Sequence, residues 1–283
     1  MDLIKLQGKI RCIDIGALEV EGTAKDPWVL LAEAGLAEVI GFEPITEECE
    51  RLNASTGFPE SIKYLPYAIG DGRSHTLHIT NLPMTSSLLE PDSETLNLFH
   101  YLGDFTQVVN RESLETKRLD DLPGLGLIDF MKLDIQGAEL MALENATTML
   151  ASTSVVQCEV EFVELYKGQP LFAEVDSFLR SQGFCFLRFA YTMGRPFKPL
   201  LTDDDPSRSI SQTLWADEIY VKDFRLRHEW DDRILQSAAF ILHQFYRGYD
   251  LSRLFIHELD RRHGTGFESD YLSFFLGIQN DNS

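Results

Sequence analysis

Three carboxylates stand where strand-like runs break off: Asp14 in "IDIG", Glu43 in "GFEP" and Asp134 in "FMKLDIQGAE". Buried parallel strands read as continuous apolar runs, so a charge in such a place needs a reason. In open α/β sheets the reason is often a ligand, because the crevice beyond the carboxyl ends of the strands is the binding site. Glu43 lies 21 residues beyond Gly22, the spacing at which an acid accepts hydrogen bonds from ribose hydroxyls. A charged strand terminus ahead of a proline turn is its plainer reading. Asp134 is placed to take a proton from a hydroxyl, and reads equally as an acceptor for backbone N–H groups in the turn Ile135-Gln136-Gly137. Asp14 stabilises an Asx-type turn or meets the polar end of a ligand. Gly16 beside it lets the backbone come close to whatever binds.

The glycines alone say little. Asp14-Ile15-Gly16-Ala17, with the next glycine at Gly22, lacks the full GxGxxG spacing. The same loop carries Glu19 and Glu21, which would repel a dinucleotide pyrophosphate. They suit a phosphate-free nucleoside with a positive centre, such as S-adenosylmethionine. Glu159 and Glu161 in "SVVQCEVEF" share side-chain parity, and so one face of a strand. With Asp134 they define a carboxylate cluster for sugar hydroxyls or for Mg²⁺, which asks for few protein oxygens. The metal is the secondary expectation, and no ligand set is assigned to it. Glu139, in the first turn of the next helix, complements the helix dipole. His75 and His78 are three apart in a strand-like run and face opposite ways, which disfavours a shared metal.

The elements that must hold these acids alternate between strand and helix over the first two thirds, the pattern of a parallel sheet with crossover helices. Strands are expected at 9–16, 37–44, 61–70, 126–137 and 154–162, and helices at 27–35, 46–56, 138–152 and 171–183. Pro27 falls in a first helical turn and Thr46 reads as an N-cap. Pro66 places its strand at a sheet edge. "SHTLHIT" alternates like an arm of an inserted hairpin, and 81–110 is irregular. "FCFLRFAY" and "TLWADEIYVK" read as an antiparallel pair finishing the sheet. From about Arg225 the pattern is helical, so the chain divides into an α/β domain, 1–224, and a helical extension, 225–283. The apolar positions of that extension must bury against the core or against a second copy, which makes a homo-oligomer through these helices an expectation.

The net charge is −20, with 45 acidic against 25 basic side chains. Such a surface repels phosphate backbones and anionic lipid, which disfavours nucleic acid as the main partner. No charge-free apolar run reaches the roughly 18 residues of a membrane span. The first residues lack the pattern of a secretory signal. Cys12, Cys49, Cys158 and Cys185 form no CxxC pair, which fits reduced thiols and a cytoplasmic location.

The blocks "IDIGALE", "VIGFEPITEECERL", "YAIGDGRSHTLHIT", "TSSLLEPD", "LIDFMKLDIQGAELMALENA" and "CEVEFVELYKGQPLFAEVDSFLRSQGF" follow one another in an order that resembles the FkbM-type methyltransferases. The likeness spans residues 10–224, and "GFEP", "KLDIQGAE" and "EVEF" are its most specific parts. That family resembles the class I, Rossmann-like S-adenosylmethionine enzymes. The resemblance implies a Rossmann-like class I sheet with an inserted hairpin and, outside the match, a C-terminal helical extension. It implies methyl transfer, usually to a hydroxyl on a sugar, glycolipid or other metabolite. Candidate donor-binding residues are Asp14, Gly16, Ala17, Glu43, Pro44 and Ala68, and Asp134 is the candidate base. Ser86, Ser87, Glu159 and Glu161 are candidates for the acceptor or a metal. Three rivals stand beside this reading. Ribose 2′-O methylation of RNA is suggested by Lys132, Asp134 and Glu161 and opposed by the charge. A dinucleotide-dependent oxidoreductase is opposed by the acidic loop, and a non-catalytic nucleoside-binding module is the third.

Overall fold

The computed structural model describes residues 6, 8–17 and 25–276. Its strands are β1 (Ile10–Ile15), β2 (Ala37–Phe42), β3 (Ile62–Leu65), β4 (Ser74–Thr80), β5 (Val108–Glu115), β6 (Phe130–Leu133), β7 (Val155–Glu161), β8 (Phe184–Gly194) and β9 (Thr213–Lys222). Its helices are α1 (Pro27–Glu33), α2 (Thr46–Ser55), α3 (Ser93–Leu96), α4 (Leu102–Phe105), α5 (Glu139–Glu144), α6 (Thr147–Ser152), α7 (Phe172–Ser181), α8 (Asp232–Tyr246), α9 (Tyr249–His263) and α10 (Phe267–Leu276). The main sheet runs β3-β2-β1-β6-β7-β9-β8. Its pairs are parallel from β3 to β7, and β9 is antiparallel to both its neighbours. The strand order reverses between β1 and β6, which opens the ligand crevice of a doubly wound sheet at their carboxyl ends.

Both faces of the sheet are covered, as the wholly buried β6 and β7 require. On one face Trp28, Leu31, Cys49 and Leu52 of α1 and α2 pack on Cys12, Val39, Phe130 and Val155. On the other, Ala142, Leu143, Leu150, Val175 and Leu179 of α5, α6 and α7 pack on Ile13, Met131, Leu133 and Val156. Local chemistry sets the ends of these helices. Pro27 starts α1, and Gly35 turns the chain beyond it at φ +75°. Thr46, expected as the cap of α2, is its first helical residue; Ile45 is the N-cap, and its N–H is taken by Glu43 at 2.8 Å. A carboxylate reaching over from the end of β2 thus replaces the local hydroxyl cap.

Pro66 lies just beyond β3, an edge strand. The inserted hairpin is β4 paired with β5, but the arms are joined by a long excursion, 81–107, that carries α3 and α4. The helices after 224 have their partner in the sheet. Leu235, Phe240, Ile241 and Leu242 of α8 are buried in the same core as β1, β2 and β6. Arg233 donates to both oxygens of buried Asp129, at 3.1 and 2.7 Å, and Ser237 meets Ser154 at 2.9 Å. α9 and α10 complete this layer through Phe255, Ile256 and Tyr271. No described helix is long and apolar enough to cross a membrane.

Candidate active site

Strand register explains why charged side chains gather here. Asp14, Lys132, Gln157, Ile219 and Arg188 form one transverse row across β1, β6, β7, β9 and β8. Neighbours in such a row share a face of the sheet. Two residues towards the carboxyl ends stands a second row, in which Glu159 pairs with Asp217 and Asp217 with Tyr191. Asp134, one residue past β6, extends that row, and its N–H is held by the Ile15 carbonyl at 3.0 Å. Two residues the other way the same face is apolar: Cys12, Phe130, Val155 and Val221. One face therefore serves as core under the helices and turns polar over its last rows.

Lys132 is the cation at the centre of this polar area. Its ammonium lies 3.1 Å from Asp134 Oδ2 and 3.5 Å from Asp217 Oδ2. Burial would lower its pKa, but Asp134, Asp217, Glu159 and Asp14 outweigh that and raise it well above the ordinary value. Lys132 stays charged and accepts no proton. Burial works the other way on Asp134, and there Lys132, with hydrogen bonds from Glu159 and Gln136, prevails and holds the carboxyl below its ordinary value. Glu159 is pushed well up by burial and by Asp134 and Glu161. The two carboxyls titrate as a unit in which Asp134 carries the charge and Glu159 the proton. Asp134 keeps 36 % of its side chain exposed, so the charge faces the crevice.

Gln136 binds this pair together. It sits at φ +55°, unusual for a side chain of its size. Its amide donates to Asp134 Oδ1 at 3.0 Å and to Glu159 Oε2 at 2.7 Å. Tyr166 donates to its Oε1 at 3.1 Å, and Ser87 to its backbone carbonyl at 2.7 Å. Glu139 closes the same turn by accepting the Ile135 N–H at 2.7 Å. It is buried, with its pKa raised to about 7 chiefly by burial, so it acts as a turn brace as well as a first-turn acid.

The candidate donor residues line the β1–β2 side of the crevice. Gly16 has φ +85°, and a Cβ there would lie 1.9 Å from the Asp134 carbonyl oxygen. Ala17 is buried over Gly41, and its N–H bonds the Phe42 carbonyl at 3.2 Å. Glu43 is 7 % exposed, its pKa raised to about 7 by burial against the opposing Ile45 N–H. Asp14 accepts from the Trp28 indole at 3.2 Å and is likewise raised to about 7, burial outweighing Lys132. Half-buried Pro44 follows Glu43. Buried Ala68 gives its carbonyl to the Lys117 N–H at 2.8 Å, tying the β3 exit to the hairpin. Glu19, Glu21 and Gly22 lie outside the described residues.

Ser86 and Ser87 are braces. Ser86 Oγ accepts the Thr80 N–H at 3.1 Å, and buried Ser87 is fully used by Gln136 and the Leu89 N–H. Glu161, one row further, is buried opposite Trp215 with its pKa pushed well up by burial. The Mg²⁺ expectation for Asp134, Glu159 and Glu161 does not fit this donor set. Lys132 already balances the Asp134 charge, and the two glutamates favour their protonated forms. Among the described residues no three His, Cys, Asp or Glu side chains converge as a metal site. Asp217, Gln157, Tyr191, Tyr166 and Gln136 were not anticipated. Strand parity in "TLWADEIYVK" puts Asp217 on the face of Trp215 and Ile219, but only the register says which strand that face meets.

The sheet order defines a Rossmann-like fold, and the family match makes it that of an S-adenosylmethionine-dependent methyltransferase. The chain belongs to the methyltransferase FkbM domain family, whose model matches residues 14–186. No curated protein matches it. Among solved structures it is similar to the Synechocystis PCC 6803 magnesium protoporphyrin IX methyltransferase with bound S-adenosylmethionine (12 % identity, 78 % of this chain and 72 % of that one, TM-score 0.39). It is also similar to a Streptomyces davawensis N,N-8-amino-8-demethyl-D-riboflavin dimethyltransferase (12 % identity, 78 % and 51 %, TM-score 0.36). A third is the N-terminal domain of EvdMO1 with S-adenosylhomocysteine bound (10 % identity, 76 % and 75 %, TM-score 0.36). At these scores the likenesses carry no argument about the acceptor.

Proposed function

We propose that the chain transfers a methyl group from S-adenosylmethionine to a hydroxyl of a small-molecule acceptor, a sugar, glycolipid or related metabolite, with Asp134 as general base. The observation that carries this reading is the Asp134 carboxylate itself: anionic, part-exposed, fixed by Lys132 and Gln136, and facing the crevice where the strand order reverses. The donor side fits the cofactor. Glu43 has one oxygen on the Ile45 N–H and a second directed to no described donor, suited to ribose hydroxyls. Gly16 admits a ligand where a side chain would collide, and the surplus of acid around Lys132 suits a sulfonium and an ammonium group. When bound, S-adenosylmethionine supplies the methyl group, its S–CH₃ bond breaking as the new C–O bond forms.

The hydroxyl proton passes to Asp134. A carboxylate held below its ordinary pKa is a weak base, so most of what the site contributes is orientation, with proton transfer late in the step. Lys132 keeps Asp134 ionised between turnovers, and Gln136 fixes the direction of its oxygens. Asp134→Asn keeps the shape and removes the proton acceptor. Donor titration on parent and variant, then methyl transfer on a panel of sugars and glycosides, tests the reading. The parent should bind the donor and form an O-methyl product; the variant should bind equally well and turn over about 10²–10⁴ times more slowly. Methylation at nitrogen alone, or a stable variant with parent-like turnover, would refute it.

A further inference from the structure

Beside the carboxylate rows lies an open cleft of about 460 Å³ between the sheet and the helices α1 and α8. Asp26, Trp28, Gln157, Arg188, Phe245 and Tyr246 are among its lining residues. It is continuous with the active site through hydrogen bonds: Tyr246 donates to Gln157 Oε1 at 2.7 Å, Gln157 donates to Asp217, and Asp217 meets Lys132. Arg188 stands at its far end. The guanidinium donates to the Tyr246 carbonyl, which fixes its place, and among the described residues no carboxylate pairs with it. Arg188 projects from β8, whereas Arg233, Arg261 and Arg262 of the helical layer each pair with a carboxylate.

We propose that this cleft holds the part of the acceptor remote from the methylated hydroxyl, and that Arg188 binds a carboxylate or phosphate there. The inference rests on the methyl-transfer reading and adds to it a class of acceptor. The donor's own carboxylate is too far away to be the partner. Four inter-strand spacings of about 4.8 Å separate Arg188 from Asp14, roughly 19 Å in all. Three such spacings and a two-residue offset along the strands, about 16 Å together, separate Arg188 from the Asp134 position, and the reach of the arginine leaves on the order of 10 Å between hydroxyl and anion. That is the length of a disaccharide acid or sugar phosphate. Asp26 lines the opposite wall and confines the anion to the Arg188 end. A planar guanidinium grips either group through paired N–H donors. Arg188, Phe245 and Tyr246 all lie beyond the family-matched segment 14–186.

The test uses the full chain loaded with S-adenosylhomocysteine, and matched probes: cellobionate against cellobiose, and maltose 1-phosphate against maltose. Binding is read by saturation-transfer NMR and calorimetry at low salt. At least one acidic probe should bind ten times tighter or more than its neutral twin. Which of the two does so separates carboxylate from phosphate. The preference should vanish in Arg188→Gln and survive in part in Arg188→Lys, which keeps the charge should the glutamine variant fold poorly. Equal binding of acid and neutral twins, or a preference retained in Arg188→Gln, overturns the inference. Failure of S-adenosylhomocysteine itself to bind would instead overturn the methyl-transfer reading, and the loading step reports that separately.

Discussion

Donor affinity should rise steeply with pH across neutrality. Glu43 and Asp14 both have pKa values raised to about 7, because burial penalises their charged forms. In the free chain each is therefore about half protonated at pH 7. A ligand that offers ribose hydroxyls to Glu43 and a positive group near Asp14 favours the ionised forms, so its binding releases protons. A group of pKa about 7 is roughly 10 % ionised at pH 6 and roughly 90 % at pH 8. If one such ionisation is required, affinity tightens about tenfold between those values; if both are, roughly 100-fold. Calorimetric titration with S-adenosylmethionine at pH 6, 7 and 8, in two buffers of different ionisation enthalpy, gives both Kd and the number of protons released. Glu43→Gln should weaken binding and leave the shallower, tenfold dependence. The same groups act oppositely on the stability of the free chain. A carboxyl whose folded pKa is raised stabilises fully below its unfolded value near 4, and that contribution is lost as pH rises through about 7. The free chain's Tm should thus fall from pH 5 to 8 while the Tm gain on adding donor grows. A donor Kd flat from pH 6 to 8, with no proton released, would refute the assignment of both acids.

Two further expectations concern the backbone and the tail. Gly16→Ala forces a side chain into left-handed backbone, a strain of order 1–3 kcal/mol, and against the Asp134 carbonyl. Donor binding and Tm should both fall; a variant unchanged in both would show that the turn relaxes freely. Ending the chain after Phe224 removes Leu235, Phe240, Ile241 and Leu242 from the core, each worth about 1.5–3 kcal/mol. It also leaves buried Asp129 without Arg233, a further loss of about 3–5 kcal/mol. The sum matches the whole stability of a typical domain, about 5–15 kcal/mol, so near-UV circular dichroism should show no fixed tertiary packing. A soluble fragment with parent-like Tm would show the tail to be dispensable.

What could be read from the sequence is what is local. An apolar run that ends in an acid is visible within ten residues, so Asp14, Glu43 and Asp134 stood out, as did the alternation that builds the sheet and the helical period of the tail. What escaped depends on register between distant segments. Gln157 and Asp217 are 60 residues apart, and Tyr246 is 89 from Gln157. Nothing in "TLWADEIYVK" says that its alternate residues will face Glu159 until the antiparallel pairing is known. The helical period of 232–246 announces an apolar face but not the sheet it covers. Glu43 as the acceptor for the N-cap amide of α2 was hidden for the same reason, a side chain doing work three dimensions bring to it. No local signal marks Gln136 as left-handed.

These registers also explain how so much acid is tolerated on one buried face. Each of β1, β6, β7 and β9 contributes a polar residue to one of two adjacent rows, and Lys132 is the cation set among Asp14, Asp134, Glu159 and Asp217. A buried charge without a partner is costly, so an excess of carboxyls over cations must be met by protons or by a ligand. In the free chain it is met in part by protons: Glu159 is pushed well up and Asp14 to about 7, while Asp134 is held below its ordinary value by Lys132. A positively charged donor can take the place of those protons, most readily at Asp14, where the balance already lies near neutrality. On the proposed reading, the acidity that would make this crevice hostile to a pyrophosphate is the same property that would favour a sulfonium, and the proton count on binding measures it directly.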